Sequence, residues 1–180
     1  MTTLETLLTD PEVVGGWTLN PERSTITFRI RNMWGVWPVK GRFTEFDGDG
    51  RLTERSAVSG RIDIEVASLD TGIGRRDKHL LSADFFDAER FPQIGVVVAA
   101  LHPTTGRAAE LKTDFTIKGR TEPVTLPVTI SELDDGSVRV VGEAKLDRSL
   151  FGVDWNKFGM IAKTVTVAAE AVFVRRRGHQ

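Results

Sequence analysis

Apolar and polar residues alternate along most of the chain, and a period of two predicts β-strands with one buried face. In the stretch 24–31, Ile26, Phe28 and Ile30 fall on one face, while threonines and arginines fall on the other. The same pattern recurs at 58–66, 111–118, 124–130, 138–146 and 165–173. The residues Asp134 to Ser137 join two of these runs with residues typical of a hairpin turn, so neighbouring strands are expected to be antiparallel.

Glycines interrupt or flank several of the predicted strands, at Gly41, Gly48, Gly50, Gly60 and Gly142. Glycine inside a strand often marks a bulge or a sharp bend, and closing a sheet removes its unpaired edges. The sequence therefore predicts an all-β fold, an antiparallel up-and-down barrel of about eight strands, a size that either packs solid or holds one small ligand.

The segment 71–92 breaks the alternation. Gly72 and Gly74 mark its entry, and Pro92 disfavours helix at Phe91, so a helical insertion is predicted near residues 75–90. The expected domain organisation is an N-terminal extension over 1–16 that is partly ordered or helical, a single barrel domain over 17–176, and a tail over 177–180.

The amino-acid composition limits the classes of protein to which this chain can belong. The 180 residues include 24 Lys+Arg and 25 Asp+Glu, a formal charge of −1, and no cysteine. Disulfide scaffolds, thiolate metal sites and thiol nucleophiles are excluded, and a balanced charge makes a nucleic-acid partner unexpected. Neither a secretory leader nor about 18 uninterrupted apolar residues is present, so the protein is expected to be cytoplasmic with no transmembrane segment.

Candidate catalytic residues are few. Among three histidines only His79 has acids close in sequence, Asp77 and Asp84, and their spacing does not match the i, i+4 pair of helical metal sites. The pattern favours Arg76, Asp77 and His79 as helix-capping residues that bond to the barrel rim. The alternative is an enzyme on a small apolar substrate with His79 and Asp77 as acid/base pair. No catalytic activity, metal or cofactor is expected.

Aromatic residues on the alternating faces suit either a packed core or a lined cavity. Small residues on the presumed inner face favour a cavity, since they leave room for a ligand: Gly60, Ala100, Gly142, Ala144, Ala169 and Ala171. A third interpretation is a barrel filled solid that binds a partner protein through the loop with Trp34 and Trp37.

Ordered motifs extend over nearly the whole chain and resemble the YceI-like family. The most specific is Arg76–Leu80, preceded by Ser68–Gly72 and followed by Ser82 and Asp84–Asp87. The other motifs are Trp17–Pro21 with Ser24 and Phe28, Val39–Phe43 with Phe46 and Gly48, Phe91-Pro92, Leu111–Gly119 with Thr121 and Pro123-Val124, and Arg148 with Phe151–Val153. Asn32 stands where the family often has histidine.

The resemblance implies a lipocalin-like antiparallel barrel that binds a long isoprenoid lipid, an isoprenoid quinone or a polyprenyl phosphate, in its lumen. Sequestration or transport of that lipid is the expected function, with a polar anchor at the mouth drawn from Arg76, His79 and Lys118. A homodimer is a further expectation, with the open sheet edges and the Val172/Val174 face as the surfaces considered for it. The strand faces and the family pattern together predict these lumen residues: Phe28, Ile30, Phe43, Ile62, Ile64, Phe85, Phe86, Phe115 and Ile117.

Overall fold

Antiparallel strands form one continuous sheet in the residues that the computed structural model describes, 3–32, 38–156 and 161–177. The strands are β1 (Gly15–Leu19), β2 (Thr25–Asn32), β3 (Pro38–Phe43), β4 (Phe46–Leu52), β5 (Val58–Glu65), β6 (Leu69–Asp70), β7 (Gln93–Pro103), β8 (Ala108–Ile117), β9 (Arg120–Glu132), β10 (Val138–Asp147) and β11 (Ile161–Arg175). The helices are α1 (Leu4–Thr9) and α2 (Gly74–Leu81).

Eight of these strands close into a barrel in the order β1-β4-β5-β7-β8-β9-β10-β11, with β1 pairing back onto β11. The long strand β11 makes closure possible, because its last residues pair with β1 while residues 161–170 pair with β2. From β2 the sheet continues to β3 and β6. The predicted antiparallel barrel of about eight strands is confirmed.

Strand register defines the two ends of the barrel. The α1 end is where β1 begins and β4 meets β5, with Leu52 opposite Val58. The α2 end is where β4 begins and β5 ends, with Phe46 opposite Ile64. The N-terminal helix belongs to the first end, since Leu4 and Leu7 share a core cluster with Leu52. Leu80 and Leu81 pack against the cluster at the second end.

The helical insertion is shorter than the predicted range of 75–90. Helix α2 ends at Leu81, where the Ser82 hydroxyl and amide both bond to the His79 carbonyl. Hydrogen-bonded turns follow up to Arg90, and Asp87 adopts a left-handed φ of 51°. None of the described helices has the length and apolar character needed to cross a bilayer.

Candidate functional site

A cavity of about 180 Å³ lies inside the barrel in the half nearest α1. Aliphatic side chains from strands on every side form most of its wall, together with the N-terminal segment. The lining includes Leu4, Leu7, Leu8, Val13, Trp17, Leu52, Val58, Ile62, Val96, Val98, Leu101, Leu111, Leu126, Val128, Ile130, Val138, Val140 and Phe173.

Glycine and alanine residues form part of the cavity wall, and their small side chains leave free space inside the barrel. Gly50 of β4 lies directly opposite Gly60 of β5, and both line the cavity. A Cβ built on Gly50 would meet its nearest atoms at 3.6–4.0 Å, which is ordinary contact. Gly142, Ala169 and Ala171 line the cavity from β10 and β11. Four of the six small residues expected to leave room therefore do so, while Ala100 and Ala144 are not part of this wall.

Two polar groups at the cavity wall, those of Thr113 and Trp17, have partners within the protein. The Thr113 hydroxyl donates to the Val124 carbonyl at 2.6 Å, and the Trp17 indole N–H donates to the Val13 carbonyl at 2.9 Å. A buried polar group that already has its hydrogen bond gains little from a ligand. The cavity therefore suits an apolar guest.

Side chains fill the half of the barrel nearest α2. The rings of Phe28 and Phe43 lie 5.5 Å apart between centroids, and Phe86 meets Phe43 edge-on at 6.3 Å. Gly41 allows this arrangement, because a Cβ there would lie 2.2 Å from the Phe28 ring. These three aromatic rings therefore pack against one another.

The predicted lumen residues divide between these two halves. Ile62 lines the cavity. Phe28, Phe43, Ile64, Phe86 and Ile117 belong to the core cluster around β4, β5 and α2, Phe85 and Phe115 to a second cluster with Phe151, and Ile30 is half-buried on β2. Contact of these packed residues with a ligand stays a prediction.

Two of the predicted polar residues hold the start of α2. The Asp77 carboxylate accepts hydrogen bonds from the Thr71 amide, at 2.9 Å, and from the Thr71 hydroxyl. Arg76 donates through Nε to the Thr71 hydroxyl and through Nη2 to the Thr71 carbonyl, both at 2.8 Å. Both side chains bind Thr71, which lies before the N-cap Ile73, and no side chain of the described residues caps the first turn of α2, so the predicted helix-capping role is wrong.

His79 is paired with Asp84 instead of Asp77, with 3.0 Å between Nε2 and Oδ2. Its ring lies edge-on to Trp155 at 4.7 Å and to Phe85 at 5.1 Å. The proposed Asp77–His79 acid/base pair is therefore wrong, because Asp77 is engaged by Thr71. Across the described ranges, no three His, Asp or Glu side chains come together as a group that could hold a metal ion.

Lys118 connects the insertion to the barrel. It occupies the tight turn between β8 and β9 and donates from Nζ to the carbonyls of Ala83 and Gly152, each at 3.2 Å. The three residues expected to anchor a ligand, Arg76, His79 and Lys118, thus lie at the α2 end and hold protein segments together. Their contact with a head group stays a prediction.

Ile62 is the one predicted lumen residue in this cavity wall, so the missed lining residues lie on most of the barrel strands and on the N-terminal segment. Leu4, Leu7 and Leu8 have the i, i+3, i+4 spacing of an amphipathic helix, and this pattern could have assigned them to the interior. Trp34 and Trp37, considered for a partner-binding loop, lie outside the described residues.

A closed eight-stranded antiparallel barrel with an apolar interior cavity defines the lipocalin-like class of β-barrels. Within that class the YceI-like domain model matches residues 17–173. The chain belongs to the YceI-like family, as its motifs predicted.

Relatives in sequence cover part of the chain. A UPF0312 protein of Pseudomonas putida (strain W619) is 36% identical over 97 residues, which are 52% of this chain and 50% of that protein. Protein YceI of Escherichia coli O157:H7 is 31% identical over 107 residues, 58% of this chain and 55% of that protein. The chain thus spans about half the length of the curated relatives it matches.

Solved structures extend the likeness over most of the fold. Burkholderia cenocepacia BcnA matches with a TM-score of 0.79 and 27% identity, over 86% of this chain and 98% of that one. A polyisoprenoid binding domain from Saccharophagus degradans matches with a TM-score of 0.73 and 13% identity, over 87% and 97% of the two chains. The second likeness is one of fold alone.

Proposed function

We propose that this protein binds the apolar chain of an isoprenoid-type lipid inside its barrel. The observation that carries the proposal is the cavity of about 180 Å³ inside the barrel with a largely apolar wall. Pockets of this character hold ligands by burying apolar surface, and barrel interiors are a common place for them. The name of the Saccharophagus degradans domain, a polyisoprenoid binding domain, supports the same ligand class.

The cavity volume limits how much of such a lipid is held. A cavity of about 150 Å³ is enough for benzene, so about 180 Å³ takes a chain of up to roughly ten carbon atoms. Each buried CH₂ contributes about 0.8 kcal/mol before the cost of ordering the chain. A short isoprenoid, or the end of a longer one, fits the cavity, whereas a tail of roughly 40 carbons exceeds it.

Binding without catalysis is part of the proposal, and the lipid is its only ligand. Sequestration or transport of this lipid is the proposed role, because the barrel would shield a water-insoluble chain from water. An isoprenoid quinone and a polyprenyl phosphate share the apolar chain and differ in the head group. The cytoplasmic location also stays a prediction, which cell fractionation checks.

A homodimer is proposed with one correction to the surface that would form it. Val172 is 3% exposed, and its amide and carbonyl bond to Ser24 and Asn20 of the same chain. Val174, which is exposed, is the residue of this pair available to a second copy. Analytical ultracentrifugation of the purified protein checks the dimer, and a single monomeric species contradicts it.

Extraction of the purified protein with organic solvent, followed by mass spectrometry, tests the proposed function. We expect an isoprenoid chain in the extract, or uptake of added farnesol when the protein is purified empty. The control is an unrelated soluble protein of similar size taken through the same purification. Extracts that match this control, together with no farnesol uptake, would contradict lipid binding.

A further inference from the structure

The N-terminal segment closes the α1 end of the barrel. Helix α1 and the 3₁₀ turn Pro11–Val13 place Leu4, Leu7 and Val13 in the core, with Leu4 only 2% exposed. Leu8 is partly buried beside them, and all four line the cavity. The segment precedes residues 17–173, which the family model matches. These leucines thus add to the barrel an end wall that lies outside the family match.

Individual hydrogen bonds and apolar contacts hold this end wall on the barrel, whereas strand pairing holds the sheet together. The Leu4 amide donates to the Gly106 carbonyl at 3.0 Å, and the Ser56 hydroxyl donates to the Leu8 carbonyl at 3.1 Å. A helix of six residues is too short to be stable by itself, so its position depends on the apolar contacts of its leucines. Segments of this kind open at a lower free energy than paired strands.

We propose that Leu4, Leu7 and Leu8 determine the length of the apolar chain that the barrel accepts. The inference rests on the proposed function. A short chain fits the existing cavity with the leucines in place. A longer chain needs the space that the leucine side chains occupy, so it binds only when α1 moves out of the barrel end. The affinity for long chains is therefore reduced by the stability of α1 in its closed position.

Titration with geraniol, farnesol and geranylgeraniol, alcohols of increasing isoprenoid length, tests this inference. The protein variants are wild type, the double variant Leu4→Ala with Leu7→Ala, and Glu5→Ala as the control on the exposed face of α1. We expect the Kd of geranylgeraniol relative to geraniol to fall about tenfold or more in the double variant. In Glu5→Ala this ratio should equal that of wild type.

The outcomes separate this inference from the proposed function. If the alcohols bind and the Kd of geranylgeraniol relative to geraniol is the same in all three proteins, the role of the leucines is overturned. Lipid binding then still stands. Binding of none of the alcohols to any of the proteins would overturn both. If the double variant does not fold, the single variants Leu8→Ala and Leu8→Phe replace it. They should shift the ratio in opposite directions, and an unchanged ratio in both contradicts the inference.

A spin label reports the movement of α1 directly. The chain has no cysteine, so Glu5→Cys provides one labelling position on the exposed face of the helix. We expect the mobility of the nitroxide to increase when geranylgeraniol binds and to stay unchanged with geraniol. An unchanged spectrum at saturating geranylgeraniol would show that long chains bind without moving α1.

Discussion

At the scale of single residues, Arg148 is the buried charge on which the α2 end depends. It follows β10 and is 6% exposed. Its guanidinium donates to the carbonyls of Val153 and Trp155 at 2.7 and 3.1 Å, and to those of Ile161 and Ala162 at 3.2 and 2.9 Å. Burial lowers the pKa of Arg148, and the nearby carboxylates of Asp154 and Asp147 oppose that shift. The arginine thereby joins both ends of the segment that carries Trp155.

Replacing Arg148 should therefore be costly. Arg148→Ala leaves several carbonyls without a donor, and hydrogen bonds to charged groups contribute about 1.5–3 kcal/mol each, so we expect the free energy of unfolding to fall by at least about 3 kcal/mol. Urea denaturation measures this loss. The control is Arg139→Ala, which breaks an exposed pair with Glu170 and should cost no more than about 1 kcal/mol. Equal losses in the two variants would contradict the role of Arg148.

At the scale of elements, the hairpin between β9 and β10 depends on one carboxylate. Asp135 accepts hydrogen bonds from the hydroxyl of Ser137, from its amide at 3.0 Å, and from Arg23 at 2.9 Å. These contacts, the Ser137 hydroxyl foremost, lower the pKa of Asp135 to about 2. The folded protein thus favours the ionised carboxylate more than the unfolded chain does.

The hairpin should weaken in acid for this reason. A lowered pKa in the folded state means that Asp135 stabilises the fold fully above its ordinary pKa of 3.8 and loses this effect as the pH falls to about 2. We expect Asp135→Asn to lower Tm at neutral pH and to reduce the loss of Tm between these pH values. Thermal unfolding across pH measures both, with the exposed neighbour Asp134→Asn as control. If Tm depends on pH in Asp135→Asn as it does in wild type, the role of Asp135 in acid stability is contradicted.

Elements with a regular pattern could be predicted from the sequence, and elements decided by long-range contacts could not. The alternation at Ile26, Phe28 and Ile30 predicted β2, because one face of that strand is half-buried and the other is exposed. The residues after Leu81 appeared helical because they lack alternation. The chain turns there instead, with Phe85 buried in the cluster around Phe151 and Phe86 packed against both that cluster and the one around Phe43.

At the scale of the whole molecule, the position of the hollow could not be predicted. Alternation assigns a residue to the inner face of a barrel, but the space left inside depends on side chains from eight strands and on what closes each end. Phe28, Phe43 and Phe115, predicted to line the lumen, pack with other core side chains in the α2 half. The free space lies beyond them, between Gly50, Gly142 and the leucines of α1.

The most direct test of the central claim is native mass spectrometry of the protein with farnesol, compared between two glycine variants. The side chain added in Gly50→Val projects into the cavity. The side chain added in Gly16→Val, in the adjacent strand, meets the Arg176 side chain instead. Lipid binding inside the barrel predicts a one-to-one farnesol complex for wild type and Gly16→Val and a loss of about tenfold or more in affinity for Gly50→Val. Equal complex formation by all three proteins, or none by wild type, would contradict binding in this cavity.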